Sequence, residues 1–129
     1  MNRPFKVLVI DDDALMRMTL RAYLEDSGYS VVEAEDGEQG MELFNRERPD
    51  IVLTDLRMPK MDGFEIIARL KRDSPGTPII AITGTGDEDT AAEAVRRGAC
   101  DALLKPINDL SILEAVIARA LDRPKRERI

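Results

Sequence analysis

An α/β fold built on a parallel sheet is predicted by three features of the sequence. Five short apolar, β-rich runs alternate with five longer helical patterns. Three of the runs are almost continuously apolar, as strands buried on both faces are. The connections are short, which suits right-handed crossovers between neighbouring parallel strands.

The elements follow in order. KVLVI (6–10) is the first strand, closed by Asp11, Asp12 and Asp13. Met16, Leu20 and Leu24 then recur at four-residue spacing, the mark of a helix with one apolar stripe, and Gly28 is its C-terminal stop. Asp13 is placed to cap that helix. SVVEA (30–34) is the second strand, and Met41 and Phe44 give 38–47 an apolar stripe that ends before Pro49. DIVLT (50–54) is the third strand, and it delivers Asp55 at its tip before Pro59 and Gly63 break the chain. Asp62 caps a helix over 63–72, with Phe64, Ile67 and Leu70 on one face. PIIAIT (78–83) is the fourth strand. The Ala-rich segment 87–97 has Val95 as its only large apolar anchor, which predicts a loosely held helix. DALL (101–104) is the fifth strand, and the helix 108–122 carries Leu113, Val116, Ile117, Ala120 and Leu121 before stopping ahead of Pro124.

At 129 residues the chain reads as one domain over 1–122, followed by a basic tail, 123–129, that is either a frayed end or the start of a linker. Such a length buries a working core without staples. The balance of 19 basic and 25 acidic residues gives a net charge of −6, which argues against nucleic acid or an anionic membrane as partner. The chain has no His, so imidazole acid–base and metal chemistry is excluded. Cys100 is the single cysteine; it reads as a small buried apolar residue and fits a reducing cytoplasm. The apolar run 7–10 is too short for a signal peptide or a membrane span.

In open α/β sheets, ligands bind at the carboxyl ends of the strands. At those ends the sequence places Asp11, Asp12 and Asp13 after strand 1 and Asp55 after strand 3. Thr83 and Gly84 follow strand 4, and Lys105 and Pro106 follow strand 5. Each alone has a bland reading: a turn aspartate, a strand threonine, a solvated lysine. Their convergence on one end of one sheet is what carries information. Crowded carboxylates raise one another's pKa, and a hard divalent cation relieves them. Lysine adds a compact second positive charge, and threonine a hydroxyl donor. Gly84 carries no side chain to block the approach. This is the inventory of phosphoryl transfer, with an aspartate as nucleophile.

VLVIDDD, DIVLTDLRMPKMDG, PIIAITG and GACDALLKPI, in that order and spacing, resemble the receiver domain of two-component response regulators, over about residues 5–122. The resemblance implies a doubly wound, flavodoxin-like five-stranded parallel sheet in the order 2-1-3-4-5 with helices on both faces. It implies that Asp55 is the phosphoacceptor and that Mg²⁺, with Mn²⁺ as a substitute, is the cofactor. Its ligands would be Asp12, Asp55 and the Arg57 backbone carbonyl, with Asp11 acting through water. Thr83, Gly84 and Lys105 would meet the phosphoryl group, and the Lys105–Pro106 bond would be cis. The Met58–Pro59 loop would leave Asp55 exposed. A sensor histidine kinase or phosphotransfer protein would supply the phosphoryl group. The switched surface, formed by helix 87–97, strand 101–104 and helix 108–122, would then meet a downstream protein. The loop glycines Gly84 and Gly86 suit a segment with two arrangements. The domain would be a monomer or a weak dimer, with Leu110 and Ile112 lying beyond one core stripe.

The sequence departs from this family at Ala102, where an aromatic switch residue is usual, and at Ile107, where an aromatic after Lys-Pro is common. Rival readings fit less well. A haloacid-dehalogenase-like phosphatase would use Asp11 as nucleophile and Asp13 as acid, but Leu15 and the absence of an acidic pair after Lys105 count against it. A flavin or dinucleotide carrier fails because TGTGDED (83–89) lacks the third glycine and follows strand 4. A phosphorylation-independent binding module would not need the complete acceptor set.

Overall fold

A computed structural model describes residues 4–84 and 87–127, with side chains through Asp122. Gly86 and the side chains of the 123–129 tail lie outside the described residues.

The strands are β1 (Lys6–Ile10), β2 (Ser30–Ala34), β3 (Ile51–Asp55), β4 (Ile79–Thr83) and β5 (Asp101–Leu104). They alternate with α1 (Ala14–Asp26), α2 (Gly37–Glu47), α3 (Gly63–Asp73), α4 (Glu88–Arg96) and α5 (Leu110–Glu127). All the pairings are parallel, in the order β2-β1-β3-β4-β5, as the resemblance implied.

Alternation along each strand divides the core in two. Leu8, Ile10, Val52, Ile79 and Ala81 face one layer, with Phe44 of α2, Ile66, Ile67 and Leu70 of α3, and Ala94 of α4. Val7, Val9, Ile51, Leu53, Ile80 and Ile82 face the other, with Leu20 and Leu24 of α1 and Leu113, Ile117 and Ala120 of α5. The near-continuous apolar runs are therefore explained: both faces of the three central strands are covered.

Local signals behave as expected at several element ends. The Asp13 side chain accepts from the Leu15 and Met16 amides, and that of Asp62 accepts from the Glu65 amide. Gly28 sits at φ +99°, a conformation that favours glycine, just after α1.

Three expectations need correction. Val95 is not the anchor of α4: it is 44% exposed, whereas Ala94 is fully buried. A helix held by an alanine lies close to the sheet, and its larger neighbour, one position on, turns outward. The last helix starts at Leu110 rather than 108, after Asp109, whose carboxylate accepts from the Ser111 amide. It also does not stop before Pro124 but runs on to Glu127. Proline there costs one backbone bond, while the Lys-Arg-Glu that follows consists of good helix formers. Cys100 is half-buried rather than buried, although it packs against the α1/α5 side of the core.

Candidate functional site

The site is assembled by the sheet. In the β1–β3 ladder Ile10 pairs with Thr54, so Asp11 and Asp55 emerge side by side at the next position. One carboxylate oxygen from each of Asp11, Asp12 and Asp55 lies within 4.8 Å of the others. β5 delivers Lys105, whose Nζ stands 3.1 Å from Asp11 Oδ2 and 3.2 Å from Asp55 Oδ2. The Lys105–Pro106 peptide is cis, as the resemblance implied.

Burial differs sharply among these groups. The side chains of Asp11 and Asp55 are only 2% and 8% exposed, while Asp12 is open to solvent. Asp55 is thus not the exposed residue that the sequence suggested. The loop after β3 folds down beside it, with Leu56, Met58 and Met61 buried in the core. The Asp55 carboxylate is also held from two sides, by the Arg57 amide at 3.4 Å on Oδ1 and by Lys105 on Oδ2.

Electrostatics follow from this crowding. Burial and the neighbouring Asp11 charge push the Asp55 carboxyl above the ordinary aspartate range, against the opposing pull of Lys105. Burial would lower Lys105, but the two carboxylates beside it outweigh that and hold its ammonium above the ordinary lysine value. Asp11 Oδ1 accepts the Asp13 amide at 2.9 Å. Asp11 Oδ2 is buried and, among the described residues, has the Lys105 charge nearby but no hydrogen bond of good geometry.

An underserved buried oxygen beside two further carboxylates is what a hard cation would complete. The donors are all oxygen, as Mg²⁺ prefers, and the open side at Asp12 leaves room for its waters. Asp11, Asp12 and Asp55 fit such an ion.

A stability test follows from the raised Asp55 pKa. Below the ordinary carboxyl value the group is protonated, both folded and unfolded, and carries no penalty. As pH rises from there through the raised folded value, the native state holds the extra proton and wild-type stability falls. Asp55→Asn escapes that loss. It should therefore stabilise the Mg²⁺-free protein at pH 7 by on the order of 1 kcal/mol, measured by urea denaturation. The advantage should vanish in acid; an equal or lower stability at neutral pH would contradict the assignment of strain to this carboxylate.

The remaining expected residues fall at the same end of the sheet. Thr83 is fully buried, and its hydroxyl donates to Asp87 at 3.3 Å. Gly84 follows it, and among the described residues a Cβ there would approach Asp87 Oδ2, at 3.7 Å. Ala102 is partly buried against the α2/α3/α4 layer of the core. What the sequence reading missed is the pair at the rim: Arg57 Nε and Nη2 clasp Asp87 at 2.7 and 3.0 Å. A basic residue two positions after Asp55 and an acidic one four after Thr83 were the available signal.

Known proteins resemble this chain in sequence and fold. The chain is 36% identical over 115 residues to the transcriptional regulatory protein GlrR of Escherichia coli, an alignment covering 89% of this chain and 26% of that protein. It is 34% identical over 112 residues to the chemotaxis protein CheY of Listeria monocytogenes, covering 86% of this chain and 94% of that one. The chain thus spans about a quarter of the first relative and nearly all of the second. The crystal structure of a response regulator receiver domain protein from Clostridium thermocellum superposes with a TM-score of 0.88 at 34% identity, covering 94% of this chain and 97% of that one. A sequence model of the response regulator receiver domain matches residues 7–117, and the chain accordingly belongs to the receiver domains of two-component response regulators.

Proposed function

We propose that this receiver domain takes a phosphoryl group from a sensor histidine kinase or phosphotransfer protein onto Asp55, with Mg²⁺ held by Asp12, Asp55 and the Arg57 carbonyl and by Asp11 through water. The observation that carries the reading is the pairing of Asp11 and Asp55 on adjacent strand tips under a shared lysine. Receiver domains bind Mg²⁺ through acidic residues and are phosphorylated by histidine kinases; the residue assignments are the proposal.

In the transfer, a lone pair on an Asp55 carboxylate oxygen forms the new P–O bond. The bond from phosphorus to the donor breaks, and the donor keeps that electron pair. The ion, when bound, neutralises charge on the phosphoryl oxygens. Lys105, already poised over Oδ2 of both aspartates, moves its charge onto the incoming group. Arg57 donates its amide to Asp55 Oδ1 and holds the carboxylate in place. Thr83 donates its hydroxyl to a phosphoryl oxygen, and the start of α4 follows. The chain is a signalling domain, with at most its own phosphorylation and dephosphorylation as chemistry. It acts in the cytoplasm; among the described residues no helix is long and apolar enough to cross a membrane.

The output face comprises α4, β5 and α5. Among the described residues its exposed large apolar side chains are Val95, Leu104 and Ile112, at 44%, 37% and 54%. Ala102, without the usual ring, leaves the signal to pass through the β4–α4 backbone.

Acetyl phosphate with Mg²⁺ tests the assignment by intact mass. Wild type should gain one phosphoryl group and Asp55→Asn none. An undiminished gain in Asp55→Asn would move the acceptor elsewhere; Asp11→Asn distinguishes the phosphatase-like alternative, which requires that residue as nucleophile.

A further inference from the structure

Each of the five helices is preceded by an aspartate: Asp13, Asp36, Asp62, Asp87 and Asp109. Four of them spend their carboxylate on an amide of their own helix, at Leu15, Gln39, Glu65 and Ser111 respectively. Asp87 makes no such bond. Its carboxylate is turned to the strand tips instead. Oδ2 accepts from Thr83 and from Arg57, and Oδ1 accepts the second Arg57 nitrogen. The carboxylate lies beside Gly84, where a Cβ would stand 3.7 Å from Oδ2, an ordinary contact.

A hydroxyl has one proton to donate. While Thr83 gives it to Asp87, it cannot give it to a phosphoryl oxygen. Arg57 links the two halves of this arrangement, because its amide binds the Asp55 carboxylate while its side chain fixes Asp87. We propose that Asp87, clasped by Arg57, is a positioning residue that holds the Thr83 hydroxyl away from the acceptor until phosphorylation, and is then released to cap α4. This rests on Asp55 being the acceptor.

The two arrangements exchange partners: release costs the two exposed Arg57–Asp87 bonds, which the bond from Thr83 to the phosphoryl group and the new cap offset. In one, Thr83 serves Asp87 and the α4 amides lack a side-chain cap. In the other, Thr83 serves the phosphoryl group and Asp87 serves the helix, as its four counterparts do. An exchange of partners between two such sets is a two-state element that a new acceptor can bias. It also gives α4 a reason to move without an aromatic at 102: its first turn gains a cap.

The test uses wild type, Asp87→Ala and Arg57→Leu with Mg²⁺ and beryllium trifluoride, a phosphoryl mimic. Amide chemical shifts and mimic affinity are the readouts. Without the mimic, amides of 82–84 in Asp87→Ala should move along the line toward the mimic-bound wild type, while those of the first turn of α4, deprived of the capping carboxylate, should not. Affinity for the mimic should rise about tenfold, the effect of removing one competing hydrogen bond to a charged group. Arg57→Leu should shift 82–84 the same way by less and, because it frees Asp87 to cap, should also move the first turn of α4 toward the mimic-bound state; it carries the test if Asp87→Ala does not fold. If wild type binds the mimic, and the variants keep wild-type shifts and affinity, the clasp is overturned and the acceptor assignment stands. If wild type takes up neither the mimic nor a phosphoryl group, the acceptor assignment falls and this inference with it.

Discussion

Replacing Lys105 with methionine should destabilise the Mg²⁺-free protein by about 2 kcal/mol at neutral pH. Lys105 is the cation shared by two carboxylates that are almost wholly buried. Methionine keeps much of the stem's bulk but leaves two close negative charges uncompensated. The figure is below the usual loss for breaking a buried pair because the Lys105 side chain is 24% exposed and water screens part of the effect. The sign with pH is fixed by the direction of its shift. A lysine held above its ordinary value stabilises the fold below that value, and the contribution is lost as pH rises through the folded one. The difference between wild type and Lys105→Met should therefore be present at pH 7 and shrink in strong alkali. Mg²⁺ should stabilise Lys105→Met more than wild type, since it restores the missing charge. Urea denaturation with and without Mg²⁺ measures both. Wild-type stability of the variant in the absence of the ion would show that the lysine is not what balances the pocket.

Gly63→Ala should cost about 2 kcal/mol and weaken phosphoryl uptake together. A Cβ on Gly63 would stand 2.5 Å from the Asp55 carbonyl oxygen and 2.8 Å from the Leu56 Cα. Both are backbone atoms of the acceptor loop, and neither can yield by changing rotamer. The Gly63 amide also donates to the Leu56 carbonyl at 3.1 Å, so the first turn of α3 is tied to the chain just past Asp55. Alanine would gain helix propensity, but the clash outweighs it. The loop would be pushed away, taking with it the Arg57 amide that holds Asp55 Oδ1. Melting and acetyl phosphate labelling on the same sample test this. A destabilised variant that labels at the wild-type rate would separate the glycine's packing role from any influence on the acceptor.

The elements with one-sided signals were the most legible. Apolar runs such as 50–54 and 78–83 announced strands covered on both faces, and the polar residues closing them announced the site. The Asp62 and Asp13 caps could be read because each lies next to a clear apolar stripe. Val95 misled because size was taken for burial, whereas helix rotation places Ala94 inward and leaves its neighbour outside. The burial of Asp55 was hidden because it depends on a loop, 56–62, that folds back through Leu56, Met58 and Met61. The clasp between Arg57 and Asp87 joins residues 30 apart, and nothing local distinguishes Asp87 from the aspartates that cap the other helices. Tertiary contact decides where its carboxylate goes.

The β1–β3 ladder that sets Asp11 beside Asp55 also divides the molecule into two kinds of real estate. The register of β3 must hold, since adding one residue within it would turn its last carboxylate to the opposite face of the sheet. Away from it, the exposed residues of the links at the other end, such as Ser27 and Gly28 in 27–29 and Pro75 in 74–78, lie clear of the site. Tags, inserted peptides or new chain termini belong there, where they leave the chemistry at the far end undisturbed.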